Sequence, residues 1–540
     1  MDGEEILVFD IVIKNGRVVD GCGNTWFRAD VAIENGKIVK IGGMIIDAYK
    51  VIDANEMIVA PGIVDLHEHS DTAILANPKA ESAIRQGITT IVNGNCGSSA
   101  APLTNQSMEL MKARFQRHIA KPDWITYGEY LNKLEERGCA VNVAGLVGHH
   151  TVRMAVMGMD ARDPTTKELE AMKRLVAQSL EEGAFGLSTG LESAPGGNSK
   201  TEEIIELAKI VARYPGALYV THMRGRDERA LNAVREGIEI GEKAGIPVHF
   251  SHHPTRYPFQ GRMSELLKLH EDARERGVDV TFDVYISNFN MSSFGAMVPL
   301  DLHEGGQKKF IERLRNPDVR KRIKEYKNPE VKLFRDGKWD RILLGDNTKN
   351  KDFAGMNLAE VAKIKGYSDP WDMLMDMMIE EGEDGRLSFY CDVKTDEDIS
   401  TALRHPTSMA VGSDVTALAP YGVLASTHPH PIAYGNYPQL FRKYVREMRV
   451  LTLEEAIRKV SSFPAQRMNL WDRGLIREGM WADLMIFDKN RIQDKSTFKE
   501  PHKYPEGIDY VIVNGKVVIE KGEHTGSLPG KILRPIYCKS

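Results

Sequence analysis

The chain has 540 residues, of which 42% are hydrophobic and 27% charged, a composition typical of globular proteins. The net charge of −5 gives no reason to expect nucleic acid or an anionic membrane as a partner, and we find no apolar run of the ~18 residues that a membrane span needs. The five cysteines are scattered and odd in number, and the acidic N-terminus lacks the features of a secretory signal. We therefore expect a cytoplasmic location.

Both ends of the chain have the alternating apolar and polar pattern of short β-strands. Asn-Gly pairs that begin at residues 15 and 35 predict two hairpin turns near the N-terminus, and a third pair at residue 514 predicts one near the C-terminus. Neither end is long enough to form a stable sheet of its own. We therefore expect residues 1–61 and 468–540 to pair into one small composite β-sandwich domain.

The middle of the chain contains eight strand-like apolar runs, with helical patterns between most of them. These runs end at Leu66, Val92, Val147, Leu187, Val220, Phe250, Val284 and Val411. Strands that alternate with helices predict an α/β fold with a TIM-like (β/α)8 barrel, which we place at residues 62–467. The stretch before the last run is longer than one crossover needs, so we expect an inserted small segment at about 287–342.

Side chains that can bind a metal follow the carboxyl ends of several predicted strands. They are His67 and His69 after the first strand, Cys96 after the second, His149 and His150 after the third, His222 after the fifth, His252 and His253 after the sixth, and Asp414 after the eighth. His67 and His69 point to the same face because side chains alternate along a strand. Imidazole, thiolate and carboxylate are ligands of Zn²⁺, and the strand ends of a barrel converge, so we expect one metal centre there.

These residues also have structural explanations. Cys96 could be a small buried apolar residue, and His222 and His252 could be core histidines that bond a carbonyl group. His149, His150 and His253 could lie in outer or surface positions, or one of them could contact the substrate. Asp414 could be the N-cap of a helix; beside a metal, its carboxylate would instead orient a water molecule, take its proton and pass it to a leaving nitrogen.

Several motifs resemble the amidohydrolase superfamily and, within it, the N-acyl-D-amino-acid deacylases (D-aminoacylases). They are PGIVDLHEHSD, GNCGSSAAPL, GAFGLSTGL, THMR, SHH, VGSD and the C-terminal GLIREGMWADLMIFD, and the resemblance covers nearly the whole chain. It implies a metal-dependent hydrolase that acts on C–N bonds other than peptide bonds. The site residues that it implies are a tightly held zinc at Cys96, His222 and His252, a second, weaker metal position near His67, His69, Cys96 and Asp414, and Asp414 as the catalytic base.

Two positions depart from the deacylase pattern. The family commonly has a lysine after SHH, where this chain has Pro254, and an arginine in HPRxYG, where it has Ile432. Both cations suit the α-carboxylate of a substrate, and each charge-assisted hydrogen bond is worth about 1.5–3 kcal/mol. Either Arg224 or Arg256 replaces them, or the substrate lacks a free carboxylate.

The expected reaction is the deacylation of N-acyl-D-amino acids by metal-activated water with Asp414 as base. Tyr285, Arg224 and His253 are the expected substrate-binding residues. The alternative substrate is another linear or cyclic amide, or a D-residue peptide, without the free α-carboxylate. A metal-binding scaffold without turnover is a further alternative, although the presence of Asp414 argues against it. The expected partner is a small-molecule amide, and the protein could form a homo-oligomer.

Overall fold

The computed structural model describes residues 8–43, 48–119, 121–253, 255–409 and 411–538. Its strands are β1 (Phe9–Val18), β2 (Phe27–Glu34), β3 (Lys37–Gly42), β4 (Ala48–Asp53), β5 (Ile58–Pro61), β6 (Ile63–Asp65), β7 (Ile88–Asn93), β8 (Asn142–Gly145), β9 (Val147–Gly148), β10 (Gly186–Gly190), β11 (Leu218–His222), β12 (Val248–His253), β13 (Val280–Val284), β14 (Phe289–Ser293), β15 (Ile342–Asn347), β16 (Leu387–Asp392), β17 (Leu484–Phe487), β18 (Ile508–Val513), β19 (Lys516–Glu520) and β20 (Glu523–His524).

The α-helices lie mainly between the strands of the middle region. They are α1 (Ala73–Ala76), α2 (Glu81–Ile84), α3 (Asn105–Leu110), α4 (Lys112–Gln116), α5 (Tyr127–Arg137), α6 (His149–Met157), α7 (Thr166–Glu181), α8 (Thr201–Val211), α9 (Ala230–Ala244), α10 (Met263–Glu275), α11 (Gln307–Arg313), α12 (Pro317–Lys324), α13 (Lys332–Arg335), α14 (Leu358–Lys365), α15 (Pro370–Glu381), α16 (Asp396–Arg404), α17 (Ile432–Gln439), α18 (Leu453–Val460) and α19 (Ser462–Arg467). In the described ranges, no helix is both long and apolar enough to cross a membrane.

Parallel strands in sequence order form the α/β part of the fold. Strands β6, β7 and β8 pair side by side, and β9 to β13 continue the order after β8. Every residue of β10, β12 and β13 is buried, as expected for strands covered by helices on one side and packed side chains on the other.

The return from the last strand to the first is irregular. The described residues of 408–415 form isolated parallel bridges, Phe282 with Ser408 and Glu68 with Val415, so the order returns from β13 to β6 without a regular eighth strand. The prediction of a strand ending at Val411 is therefore wrong in detail, although the segment lies where that strand was expected.

The helices that follow these strands are amphipathic, and α7 is an example. Helix α7 begins at a capping box, in which the Thr165 side chain accepts from the Glu168 backbone and the Glu168 carboxylate accepts from the Thr165 backbone. It buries Met172, Val176 and Leu180, which are four residues apart and therefore lie on one face.

The strands at the two chain ends form one sheet. Strand β5 pairs with β17, so the hydrogen-bonded order runs β20-β19-β18-β17-β5-β1-β2-β3, with β4 beside β1. The predicted hairpins at residues 35 and 514 are confirmed, since they join β2 to β3 and β18 to β19. The predicted turn at residue 15 is wrong: Asn15 has a φ of 62° and lies inside β1, where the register with β2 shifts as in a β-bulge.

The inserted segment has a small sheet and a core of its own. Strands β14, β16 and β15 pair in antiparallel fashion, and the apolar side chains of β15 and β16 pack with those of α11–α15 in a cluster that reaches from Phe294 to Val393. The segment therefore continues well beyond the expected end at residue 342. It begins after β13 and ends before α16, so it lies at the carboxyl end of a parallel strand.

Candidate metal centre

Two groups of metal-binding side chains meet at the carboxyl ends of the parallel strands. His67, His69, Cys96 and Asp414 form the first donor cluster, and Cys96, His222 and His252 form the second donor cluster. Within each cluster the ligand atoms lie within 4.8 Å of one another. The structure thus brings together the six residues that the sequence proposed for a metal site.

Cys96 joins the two clusters. Its Sγ lies 3.2 Å from Nε2 of His67 and 3.4 Å from Nε2 of His252. Nε2 of His252 lies 3.0 Å from Nδ1 of His222, and Oδ1 of Asp414 lies 3.1 Å from Nε2 of His69. Tetrahedral Zn²⁺ with ordinary bond lengths separates its ligand atoms by about 3.3–3.6 Å, so this spacing and this donor set fit the ion.

Two of the histidines have their second ring nitrogen held by a buried carboxylate. Nδ1 of His67 lies 3.3 Å from Oδ2 of Asp283, while its Nε2 faces Cys96. Nε2 of His222 lies 3.0 Å from Oε2 of Glu192, while its Nδ1 faces His252. Histidines that bind metals commonly make this outer contact because it fixes the ring orientation and the tautomer.

Three of the six residues have an unusual backbone conformation. Cys96, His252 and Asp414 have φ values of 50°, 37° and 54°, in the left-handed region that costs a non-glycine residue about 1–2 kcal/mol. All three follow or end a strand segment, and the turn in the backbone directs their side chains into the clusters. The backbone at Gly412 also lies close to His67, since a Cβ added to Gly412 would lie 2.5 Å from Cβ of His67.

The clusters carry an excess of negative charge. Burial alone would raise the pKa of the Cys96 thiol, but His67 and His252 hold it well below its usual value. Burial would likewise raise the pKa of Asp414, but His67 and His69 hold it well below the usual range. Burial alone would lower the pKa of His69, but Asp414 and Cys96 raise it to about 10. The first donor cluster raises the pKa values of His67 and His69 in this way, and a group of donors that attracts protons favours a divalent cation in their place.

A buried network of charges surrounds the second donor cluster. Nη2 of Arg256 lies 2.6 Å from Glu192, and its Nη1 lies 2.8 Å from Glu330. Arg226 contacts both carboxylates more loosely and places Nη1 2.7 Å from Nδ1 of His252. Glu192, His222 and Glu330 also lie close enough together to hold a cation, but the arginines already balance both carboxylates.

The expected substrate-binding residues have different surroundings. Tyr285 is fully buried, and its hydroxyl has no hydrogen-bond partner among the described residues. Arg224 is bound to Glu236 and to the carbonyl groups of Gly197 and Ser199. These contacts hold Arg224 in a network outside both donor clusters.

The other expected residues lie apart from both clusters. His253 packs against Phe250 and Phe282, and its Nε2 lies 3.2 Å from Nε2 of His270, so the structure does not bring it to either cluster. His149 binds Glu203, and His150 binds the carbonyl of Gly190. Pro254 lies outside the described residues.

The sequence did not identify the residues that support the histidines. Asp283 and Glu192 contact the histidines from other strands or loops, and Arg226 lies four residues after His222. Asp283 lies near the carboxyl end of β13, two residues before Tyr285, so its place close to a strand end was an available signal. Glu192 follows β10, and nothing apart from its charge marked it as a supporting residue.

Comparisons with known proteins identify the family of this chain. The sequence matches the amidohydrolase family over residues 50–297 and 355–519. It is 32% identical to the N-acyl-D-glutamate deacylase of Alcaligenes xylosoxydans xylosoxydans, over 97% of this chain and 96% of that protein. It is 31% identical to the D-aminoacylase of the same organism, over 97% of both chains.

Solved structures give the same result. The fold matches the N-acyl-D-glutamate deacylase of Bordetella bronchiseptica with a TM-score of 0.81 and 30% identity, over 98% of this chain and 100% of that chain. That protein was solved with zinc and a phosphonate mimic of the tetrahedral intermediate. A D-aminoacylase structure matches with a TM-score of 0.81 and 29% identity over the same shares. The chain belongs to the amidohydrolase family, among relatives that are D-aminoacylases, and is a metal-dependent hydrolase of C–N bonds other than peptide bonds.

Proposed function

We propose that this protein is a zinc-dependent deacylase of N-acyl-D-amino acids. The observation that carries the proposal is the position of Asp414, whose carboxylate lies in a cluster of zinc-type donors and contacts both His67 and His69. The similarity to deacylases of N-acyl-D-glutamate and N-acyl-D-aspartate supports this substrate class.

Each donor cluster has the composition of a zinc site. Cys96, His222 and His252 would hold the tighter ion, and His67, His69, Cys96 and Asp414 would hold a second, weaker one. A bound zinc would polarise the carbonyl of the substrate and lower the pKa of a water molecule to about 7. Such a centre suits the hydrolysis of an amide bond.

Asp414 acts as the base. Its pKa is held well below the usual range by His67 and His69 against the effect of burial, so the carboxylate is ionised at neutral pH. It takes a proton from the attacking water and passes it to the nitrogen of the leaving amine. His69, at 3.1 Å from Oδ1, orients the carboxylate for both transfers.

A second candidate substrate is an amide without a free carboxylate. Ile432 lies where relatives in this family commonly have an arginine, and it packs in an apolar cluster with Tyr285 and Val415. This surrounding favours an uncharged group at that point of the site.

The proposal is tested with the zinc-loaded protein and a panel of N-acetyl-D- and N-acetyl-L-amino acids together with their carboxamides. We expect stoichiometric zinc and hydrolysis of the D-amino-acid derivatives. Activity on the carboxamides alone would support the second candidate. Zinc-free protein with full activity would contradict both.

A further inference from the structure

Lys394 is a buried lysine without a hydrogen-bond partner. Its side chain is 2% exposed, and no described residue accepts a hydrogen bond from its Nζ. An ammonium group has three donors, and leaving them unsatisfied in the interior is costly. The contact that the structure provides is the face of the Tyr285 ring, whose centre lies 3.8 Å from Nζ. The Tyr285 hydroxyl is likewise buried and has no hydrogen-bond partner in the described part of the chain.

Lys394 lies on the same side of the fold as the donor clusters. It follows β16, where the inserted segment returns to the parallel strands, and its backbone N–H donates to the carbonyl of Asn288, just beyond β13. Burial, Arg226 and Arg256 hold the pKa of Lys394 well below its usual value, while Asp414 opposes them. These charges are those of the metal centre and of the network beside it.

The arginines near the site are already paired. Arg224 is bound to Glu236, and Arg226 and Arg256 share Glu192 and Glu330. The sequence offered Arg224 and Arg256 as replacements for the missing cations, but carboxylates and carbonyl groups of the protein already bind Arg224 and both terminal nitrogens of Arg256.

Ile432 and His430, which lie beside Tyr285, provide no counter-ion for Lys394. Ile432 lies in the apolar cluster that contains Tyr285. His430, whose ring packs against Tyr285, has its pKa lowered to about 3 by burial and by Lys394, so it is neutral. No carboxylate among the described residues accepts a hydrogen bond from Lys394, and a carboxylate ligand that did so would favour the charged ammonium form against the effect of burial.

We infer that Lys394, held against the ring of Tyr285, binds the α-carboxylate of the substrate. The inference rests on the proposed function, because an N-acyl amino acid carries one carboxylate beside the scissile amide. A carboxylate would satisfy the ammonium donors by charge-assisted hydrogen bonds. Lys394, at the end of the inserted segment, would thus provide the cation that is missing at the position of Ile432.

The test compares kcat/KM for N-acetyl-D-methionine and for its carboxamide in the zinc-loaded protein. In Lys394→Met the ratio of the two values is expected to fall by about 10- to 100-fold, the effect of losing one charge-assisted hydrogen bond. Lys394→Gln, which keeps donors but not the charge, is expected to change the ratio in the same direction. A ratio equal to that of the wild type in either folded variant would overturn the inference.

Lys459→Met is the matched control. Lys459 is also buried, but it donates to the carbonyl groups of His405 and Ser408. Its loss is expected to lower Tm and leave the ratio unchanged, whereas Lys394→Met removes a buried amine that has no hydrogen-bond partner among the described residues and is not expected to lower Tm. A lower Tm in Lys394→Met together with an unchanged ratio would assign the lysine a structural role and overturn the inference.

A measurement of binding distinguishes a failure of this inference from a failure of the proposed function. If the wild type hydrolyses neither compound, the proposed function fails, and the Kd values of the two compounds then test the inference. A preference of the wild type for the carboxylate that Lys394→Met loses would support it. The absence of a preference in the wild type would overturn it.

Discussion

Sγ of Cys96 lies 3.2 Å from Nε2 of His67. The same sulfur lies 3.4 Å from Nε2 of His252, so a single side chain belongs to both donor clusters. The left-handed backbone at Cys96, with a φ of 50°, directs the thiolate between the histidines of two strands. Any metal that binds in either cluster is therefore expected to depend on this residue.

Cys96→Ala is expected to lose all bound zinc, because it removes a ligand from each cluster. His69→Ala is the matched comparison, since His69 belongs to the first donor cluster alone and the second remains complete. Zinc per chain is measured by elemental analysis after dialysis. We expect background zinc in Cys96→Ala and about one ion in His69→Ala. Wild-type zinc in Cys96→Ala would show that the thiolate is not a ligand.

Asp414→Asn is expected to keep the zinc of the second donor cluster and to lower kcat by about 10²- to 10⁴-fold, the usual contribution of a general base. The amide cannot take the proton of the attacking water. The control is Asp318→Asn, an exposed carboxylate on α12 that is remote in sequence from the centre. Steady-state rates and zinc content are measured on both variants. An unchanged kcat in Asp414→Asn would remove Asp414 from the role of base.

The positions of the donors could be predicted from the sequence because they depend on two local regularities. Side chains alternate along a strand, which places His67 and His69 on one face, and parallel strands end at the same edge, which brings Cys96, His222 and His252 together. The supporting contacts could not be predicted in this way. Glu192 contacts both His222 and an arginine. These contacts depend on tertiary packing, and nothing in the local sequence encodes them.

The wrong prediction at Asn15 has a similar cause. An Asn-Gly pair readily adopts a left-handed conformation, and that conformation suits a two-residue hairpin and a β-bulge equally well. At residue 35 a second strand follows at once and the chain reverses, whereas at residue 15 the same strand continues beside β2. The partner strand therefore decides which of the two structures forms.

The end of the inserted segment was predicted too early for the same reason, because β15 and β16 have their partner strands within the segment.

Arg256→Met is expected to lower the free energy of unfolding by about 3–5 kcal/mol, because it leaves Glu192 and Glu330 buried without their closest cation. The side chains of Arg256 and Glu192 are 1% and 2% exposed, so water cannot replace the lost contacts. Arg162→Met is the control: its ion pair with Glu168 is largely exposed and worth about 0–1 kcal/mol. Urea denaturation of both variants measures the difference, and equal losses would contradict this account of the network.

Zinc is expected to raise Tm of the metal-free wild type and to leave that of Cys96→Ala unchanged. A ligand that binds only the folded state at 100 times its Kd stabilises it by about 2.7 kcal/mol. The effect should weaken as the pH falls, because protons compete with the metal for the thiolate of Cys96 and for the histidines. Differential scanning fluorimetry at several zinc concentrations and pH values measures it. An equal rise in Cys96→Ala would mean that the stabilising zinc binds elsewhere, since that variant keeps only incomplete clusters around an alanine.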